Sequence, residues 1–205
     1  MQERLIYHFT DHTNLAGIVA DGGLHSDARM AVLGRMLTEC ANEGVKRDRR
    51  TRVVPCPPGG VVADYVPFYY APRSPMMSAI SNGKVPGYTS NQNLIYLVSS
   101  TDRVKAAGLR WACTDGNARA MPTEFYNTWG ELKANTDWEL MNDRYWADTA
   151  EDGDRRRRRM AEFLVHEFFP LHLVAGIAAK SQRVAAIVRG QLPSMDTRVI
   201  PDYYI

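Results

Sequence analysis

Five consecutive arginines, Arg155 to Arg159, run through Met160-Ala161 into a single carboxylate, Glu162, which opens the apolar run Phe163-Leu164-Val165. A charged surface scatters its acids among its bases, whereas Glu162 stands where composition switches from basic to core-forming. On a surface helix it would pair with Arg158 or Arg159 at the i+4 or i+3 spacing. A second basic run, Lys46-Arg47-Asp48-Arg49-Arg50-Thr51-Arg52, holds five bases and one acid. The net charge is only +2, so two basic clusters fit a polyanion-binding cleft better than a generally cationic protein. Two solvated loops are the plainer alternative. A third stretch, Phe68-Tyr69-Tyr70-Ala71-Pro72-Arg73-Ser74-Pro75-Met76, sets paired tyrosines before an arginine. Ser74 can cap a helix that begins at Pro75. Such a start offers free N–H groups and positive dipole to a phosphate, with Arg73 in the turn. The tyrosines offer a face to a flat ring, although aromatics in a strand more often fill a core.

These residues need elements to hold them. Leu5 to Thr10 is rich in β-formers and reads as a first, mostly buried strand, with His8 near its carboxyl end. Asp11 and Thr13 can cap a short helix carrying Leu15, Ile18 and Val19, ended by Gly22-Gly23. Residues 26–65 are the least regular part, with a helical patch from Ala31 to Cys40 and then the basic run. Pro55, Pro57-Pro58 and Gly59-Gly60 break any regular structure beyond it, as in a long functional excursion. Phe68 to Ala71 and Leu94 to Val98 read as strands, Thr101 to Ala107 as a helix, and Leu109 to Cys113 as another strand. Thr114 to Ala118 is a turn. The ring-rich segment from Thr123 to Trp146 packs as a small helical unit or exposes rings to unpaired bases; core packing suits most of its aromatics. Arg155 to Ala161 has helix-forming composition. Leu173 to Ala179 reads as a strand, Ser181 to Leu192 as an amphipathic helix capped by Ser181, and Thr197 to Ile205 as a last strand. Without a regular βαβ rhythm, the pattern predicts an α+β fold with a mixed or antiparallel sheet.

A chain of 205 residues is most simply one domain, 1–205, able to bury its own core. The three cysteines, Cys40, Cys56 and Cys113, are odd in number and widely spaced, which argues against both a disulfide framework and a structural zinc site. The first residues lack a signal-peptide stretch, and no apolar run approaches the ~20 residues that span a bilayer. No membrane association and a cytoplasmic location are therefore expected. No dinucleotide-fold glycine motif, P-loop, zincin, nucleophile-elbow or kinase motif is present.

The order histidine after a first strand, aromatics ending a later strand, and lone glutamate opening a late one resembles the His–Tyr–Glu layout of diphtheria-toxin-like and poly(ADP-ribose) polymerase-like ADP-ribosyltransferases. More closely, the chain resembles the DarT family, the DNA ADP-ribosyltransferase toxins of DarTG toxin–antitoxin systems. The residues that carry this are Ile6-Tyr7-His8-Phe9-Thr10 with Asn14-Leu15, Asp64 through Met76, Asp115-Gly116-Asn117-Ala118, and Arg159 through Val165. The resemblance covers essentially the whole chain. It implies an ADP-ribosyltransferase-like split sheet with flanking helices. It also implies transfer of ADP-ribose from NAD to a base, typically thymine, in single-stranded DNA, with nicotinamide leaving.

By that resemblance, Glu162 stabilises the charge that builds on the ribose and helps orient or deprotonate the acceptor. His8 and Thr10 hold the ribose and nicotinamide end with Asn14 nearby, Tyr69 or Tyr70 stacks on nicotinamide, Arg73 meets the pyrophosphate, and Met76 lines the same pocket. The family places one functional arginine in the basic segment. Arg49 fits by its spacing from Val45-Lys46, with Arg50 close behind. Lys46, Arg50, Arg52 and Asn117 then serve the nucleic acid. Asn117 stands where relatives often carry histidine, which bears on how the acceptor base is held. No metal is required, and a DarG-type macrodomain antitoxin is the implied partner. Two rivals remain: an ADP-ribosyltransferase acting on protein or RNA, and a non-enzymatic nucleic-acid-binding module using the same arginines.

Overall fold

The computed structural model describes residues 3–35, 38, 43–88 and 90–205. Cys40, with Met36, Leu37 and Glu39 of the helical patch expected before it, lies outside the described residues, and the helix described there ends at Val32. The strands are β1 (Leu5–Asp11), β2 (Gly23–His25), β3 (Tyr65–Tyr69), β4 (Leu94–Ser100), β5 (Trp111–Thr114), β6 (Phe125–Tyr126), β7 (Glu162–His166), β8 (Phe168–Pro170), β9 (Gly176–Ala179) and β10 (Thr197–Val199). The helices are α1 (Leu15–Ala20), α2 (Asp27–Val32), α3 (Glu43–Thr51), α4 (Pro75–Ser81), α5 (Thr101–Ala106), α6 (Trp129–Asn135), α7 (Trp138–Asn142), α8 (Arg155–Arg159) and α9 (Gln182–Gln191). The class is α+β, as expected.

Among the described residues, eight strands make one mixed sheet in the order β10-β9-β4-β1-β3-β7-β5-β6, in which only β9 and β10 pair in parallel. Period-two alternation gives it two faces. Ile6, Phe68, Phe163, Val165, Ile95 and Leu97 turn to one side, onto Leu15, Ile18, Val184 and Val188 of α1 and α9. On the other side, Tyr7 and Tyr96 pack with Met77 and Ile80 of α4, while Tyr65 and Leu164 pack under Val54 and Val62. No described helix is long and apolar enough to cross a membrane.

The sheet is split at its centre. β1 pairs with β4 from Leu5 to Asp11, and β3 with β7 from Tyr65 to Tyr69. Between β1 and β3 there is one register pair, Tyr7 with Tyr69. Pro67 helps to explain the parting, since a proline cannot donate to a ladder. Its carbonyl is instead met by the His8 ring, Nδ1 to O 2.8 Å.

Several expectations change. The basic run 46–52 is not irregular: its residues through Thr51 belong to α3. The closing strand stops at Val199, and a 3-10 turn, Pro201–Tyr203, comes after it. Strands β2, β6 and β8 are too short for periodicity to show. The ring-rich segment packs largely as expected, with Trp129 against Trp111 (centroids 4.3 Å) and Trp138 against Tyr70 (5.3 Å), while Tyr145 is exposed.

Candidate active site

Glu162 opens β7 and is 1% exposed. A buried carboxylate must be paired or neutralised, and this one has two donors from distant parts of the chain. Arg49 on α3 donates Nη1 to both oxygens, at 2.8 Å to Oε2 and 3.1 Å to Oε1. The Ala118 backbone N–H donates to Oε1 at 3.0 Å. The backbone N–H of Glu162 is tied to Thr114 Oγ1, 2.9 Å. Arg158 and Arg159 do not pair with it. The other guanidinium nitrogen of Arg49, Nη2, is buried and has no partner among the described residues, which leaves a donor available beside the carboxylate.

The strand register sets Tyr69 directly opposite Glu162. Tyr69 is half-buried and lies parallel to Phe9, centroids 6.1 Å apart. Burial, reinforced by the Glu162 charge, raises its phenol pKa, so it stays protonated. Tyr70 is turned into the core, edge-on to Trp138, with its hydroxyl donating to the main-chain oxygen of Glu162 at 3.3 Å. The two tyrosines are thus separated, and only Tyr69 has its ring beside the carboxylate. His8 sits at the parting of β1 and β3. Burial, with the nearby Arg49 charge, lowers its pKa although its bond to Pro67 opposes this. Because a carbonyl can only accept, Nδ1 carries the proton and the neutral ring keeps an acceptor at Nε2.

Arg73 occupies the turn between β3 and α4 with φ +59°, a left-handed conformation uncommon outside glycine. Its backbone N–H donates to Tyr203 O at 3.2 Å and its Nη1 to Asp202 O at 3.3 Å, while its buried Nε has no partner among the described residues. Ser74 caps α4 at Met77 N–H and Pro75 is its first residue, as the sequence predicts. Met76 is partly buried against the Met77 and Ile80 cluster. Asn14 is committed internally: its amide nitrogen donates to Thr10 Oγ1 (2.9 Å) and Thr38 O (3.0 Å), and its oxygen accepts Thr38 N–H (2.7 Å). Asn14 therefore ties Thr10 to Thr38.

A carboxylate clasped by an arginine, with a parallel tyrosine beside it, thus sits on a split sheet, and comparison with known proteins decides what the arrangement belongs to. The family model described as "DarT: ssDNA thymidine ADP-ribosyltransferase, DarT" matches residues 7–205. This chain belongs to the DarT family. A DNA ADP-ribosyl transferase of Thermus sp. (strain 2.9) is 40% identical over 179 residues, covering 87% of this chain and 82% of that protein. The structure of Thermus sp. 2.9 DarT in complex with ADP-ribosylated ssDNA superposes with a TM-score of 0.90 at 34% identity, covering 98% of this chain and 96% of that one. The complex of the same enzyme with NAD+ gives 0.86 at 34% identity, covering 100% and 99%.

For a DarT family member, the residues read as DNA contacts have notable surroundings. Lys46 and Arg50 both pair with Asp27, at 2.7 and 3.1 Å. Arg52 donates to Thr123 O at 3.1 Å and touches Met121. Asn117 uses its oxygen to accept Arg119 N–H (3.1 Å) and turns its nitrogen to Met160 Sδ. The arginine run 155–159 is largely neutralised, which corrects its reading as a polyanion site. Arg155 pairs with Asp143, Arg157 with Asp154 and Asp115, and Arg158 with Asp152. Arg159 is buried on the carbonyls of Met141, Asp143 and Pro72 at 2.8–3.0 Å, and burial lowers its pKa to about 10. The sequence reading missed the Ala118 N–H. Its signal was Gly116 in the turn beside Asn117, since glycine in such a turn marks a close approach of backbone.

Proposed function

We infer that residues 1–205 act as one ADP-ribosyltransferase domain that transfers ADP-ribose from NAD to thymine in single-stranded DNA. The observation that carries this is the buried Glu162 carboxylate, gripped by Arg49 and Ala118 N–H beside Tyr69. NAD is the substrate that supplies the glycosidic bond, and its cleavage leaves positive charge on the ribose and releases nicotinamide. Glu162, paired with Arg49, lowers the cost of that charge through preorganised electrostatics. His8 offers Nε2 to a ribose hydroxyl, with Thr10 beside it. Tyr69 offers its ring to nicotinamide. The unpartnered Nε of Arg73 and Nη2 of Arg49 suit anionic or carbonyl oxygens.

Arg49 pairs with Glu162 through Nη1 and keeps its buried Nη2 unpartnered among the described residues, so it suits the acceptor: Nη2 can hold a base carbonyl while Glu162 takes the proton the base gives up. Thymine within a duplex has its pairing edge occupied, so single strands are the natural acceptor. Arg50, Lys46, Arg52 and Asn117 then shape and charge the surface around α3 and 115–123 more than they grip phosphates. A DarG-type macrodomain antitoxin remains the proposed partner, on the family's DarTG setting. The test is mass analysis of short single-stranded oligonucleotides, each carrying one base type, after incubation with NAD. The thymine-bearing strand should gain one ADP-ribose; modification of protein or RNA in its place would favour the rival transferase.

A further inference from the structure

Arg157 differs in its connections from the rest of the arginine run. Its Nε and Nη2 clasp Asp154 at 2.8 and 2.7 Å. Its Nη1 donates to Asp115 Oδ1 at 3.1 Å and Thr123 Oγ1 at 3.3 Å, near the two ends of segment 115–123. Its carbonyl accepts the N–H of Asn117 at 3.1 Å. Gly116 crosses directly over the side chain, where an added Cβ would strike Nη1 and lie 2.9 and 3.0 Å from Cγ and Cζ. The guanidinium cannot swing clear without giving up Asp154 or Asp115. The next residue after Asn117 is Ala118, whose N–H fixes Oε1 of Glu162.

We propose that Arg157 is a positioning residue for the transfer reaction, bracing segment 115–123 so that Ala118 N–H orients the Glu162 carboxylate. The proposal rests on Glu162 being the carboxylate of that reaction. Without Arg157, Glu162 keeps Arg49 but loses a fixed donor to Oε1. The carboxylate's orientation matters most as charge develops on the ribose, so the loss falls on kcat and leaves KM for NAD nearly unchanged.

The test uses Arg157→Ala, Arg157→Lys, Gly116→Ala and the Arg157→Ala/Gly116→Ala double variant, each checked by thermal melting. With NAD and a thymine-bearing single strand, Arg157→Ala should lower kcat about ten- to hundredfold, the rate equivalent of one lost charge-assisted hydrogen bond. KM for NAD should stay within about twofold. Arg157→Lys should recover part of the rate, because an ammonium can still meet one of the two aspartates. Gly116→Ala should slow the native background but add little in Arg157→Ala, where its Cβ has room. Independently of activity, hydrogen exchange across 115–123 should quicken in Arg157→Ala with neither substrate present. If the native protein modifies DNA but Arg157→Ala keeps its kcat, or exchange in 115–123 is unchanged, the brace is wrong. If the native protein gives no product, the reading of Glu162 fails instead. Should Arg157→Ala not fold, Arg157→Lys and Gly116→Ala carry the same comparison.

Discussion

At the scale of single residues, the site is a set of buried charges that answer one another. Arg49 is 16% exposed in its side chain and Glu162 is 1% exposed, so removing either leaves the other desolvated and poorly paired. Arg49→Ala should cost ~3 kcal/mol of stability by chemical denaturation, the scale for breaking a buried pair. It should also remove transfer to DNA more completely than it removes NAD binding, read by calorimetry beside the activity assay. His8 gives a pH signature. Its folded pKa lies below the ordinary histidine value, so the fold favours the neutral ring. That contribution is fully present above the ordinary pKa of about 6.5 and is lost as pH falls through the lower folded value. His8→Asn keeps a donor for Pro67 O but does not titrate in this range. Between pH 7.5 and 5 the melting temperature of the native protein should therefore fall further than that of His8→Asn. Parallel curves would detach His8 from the acid response.

At the scale of elements, much of the frame was legible in the sequence, for physical reasons that can be named. β1 and β4 announce themselves because buried strands in mid-sheet are dense in β-branched and aromatic residues, whereas Phe163-Leu164-Val165 of β7 is too short a run to tell strand from helix. α4 and α9 are marked by Ser74, Pro75 and Ser181 at their starts. The α3 helix hid because its run of arginines has almost no apolar period to read. The arginines of α8 misled for a related reason: three of their aspartates, Asp115, Asp137 and Asp143, are distant in sequence and close in space. Tyr69 and Tyr70 looked equivalent until the register with Glu162 separated them. The β2–β8 pair was invisible to periodicity, yet Gly23 is needed there: a Cβ would run into the Phe169 carbonyl and lie 2.6 Å from the Phe168 ring. Gly23→Ala should therefore cost ~1–3 kcal/mol of stability, the usual range for overpacking. An unchanged melting temperature would mean that β2 and β8 shift apart freely.

At the scale of the whole molecule, a net charge of +2 gives no broad cationic field, so DNA affinity has to come from local contacts. Transfer should weaken as salt rises, with each phosphate contact adding about 0.7 to the log–log slope for a single strand. Because Lys46 and Arg50 are shared with Asp27, single substitutions there should shift that slope by less than a full contact. Duplex DNA of the same sequence should be a poor acceptor, and equal modification of duplex and single strand with no salt dependence would remove the proposed DNA surface. The central claim is that the Glu162 carboxylate is the chemical centre of the molecule. Glu162→Gln keeps an oxygen for Ala118 N–H and Arg49 while removing the charge, so its NAD affinity and its rate of ADP-ribose transfer to a thymine-bearing single strand should be measured together. The account predicts NAD affinity close to native with the rate down roughly a hundred- to thousandfold; native-like transfer, or affinity that falls in step with the rate, would contradict it.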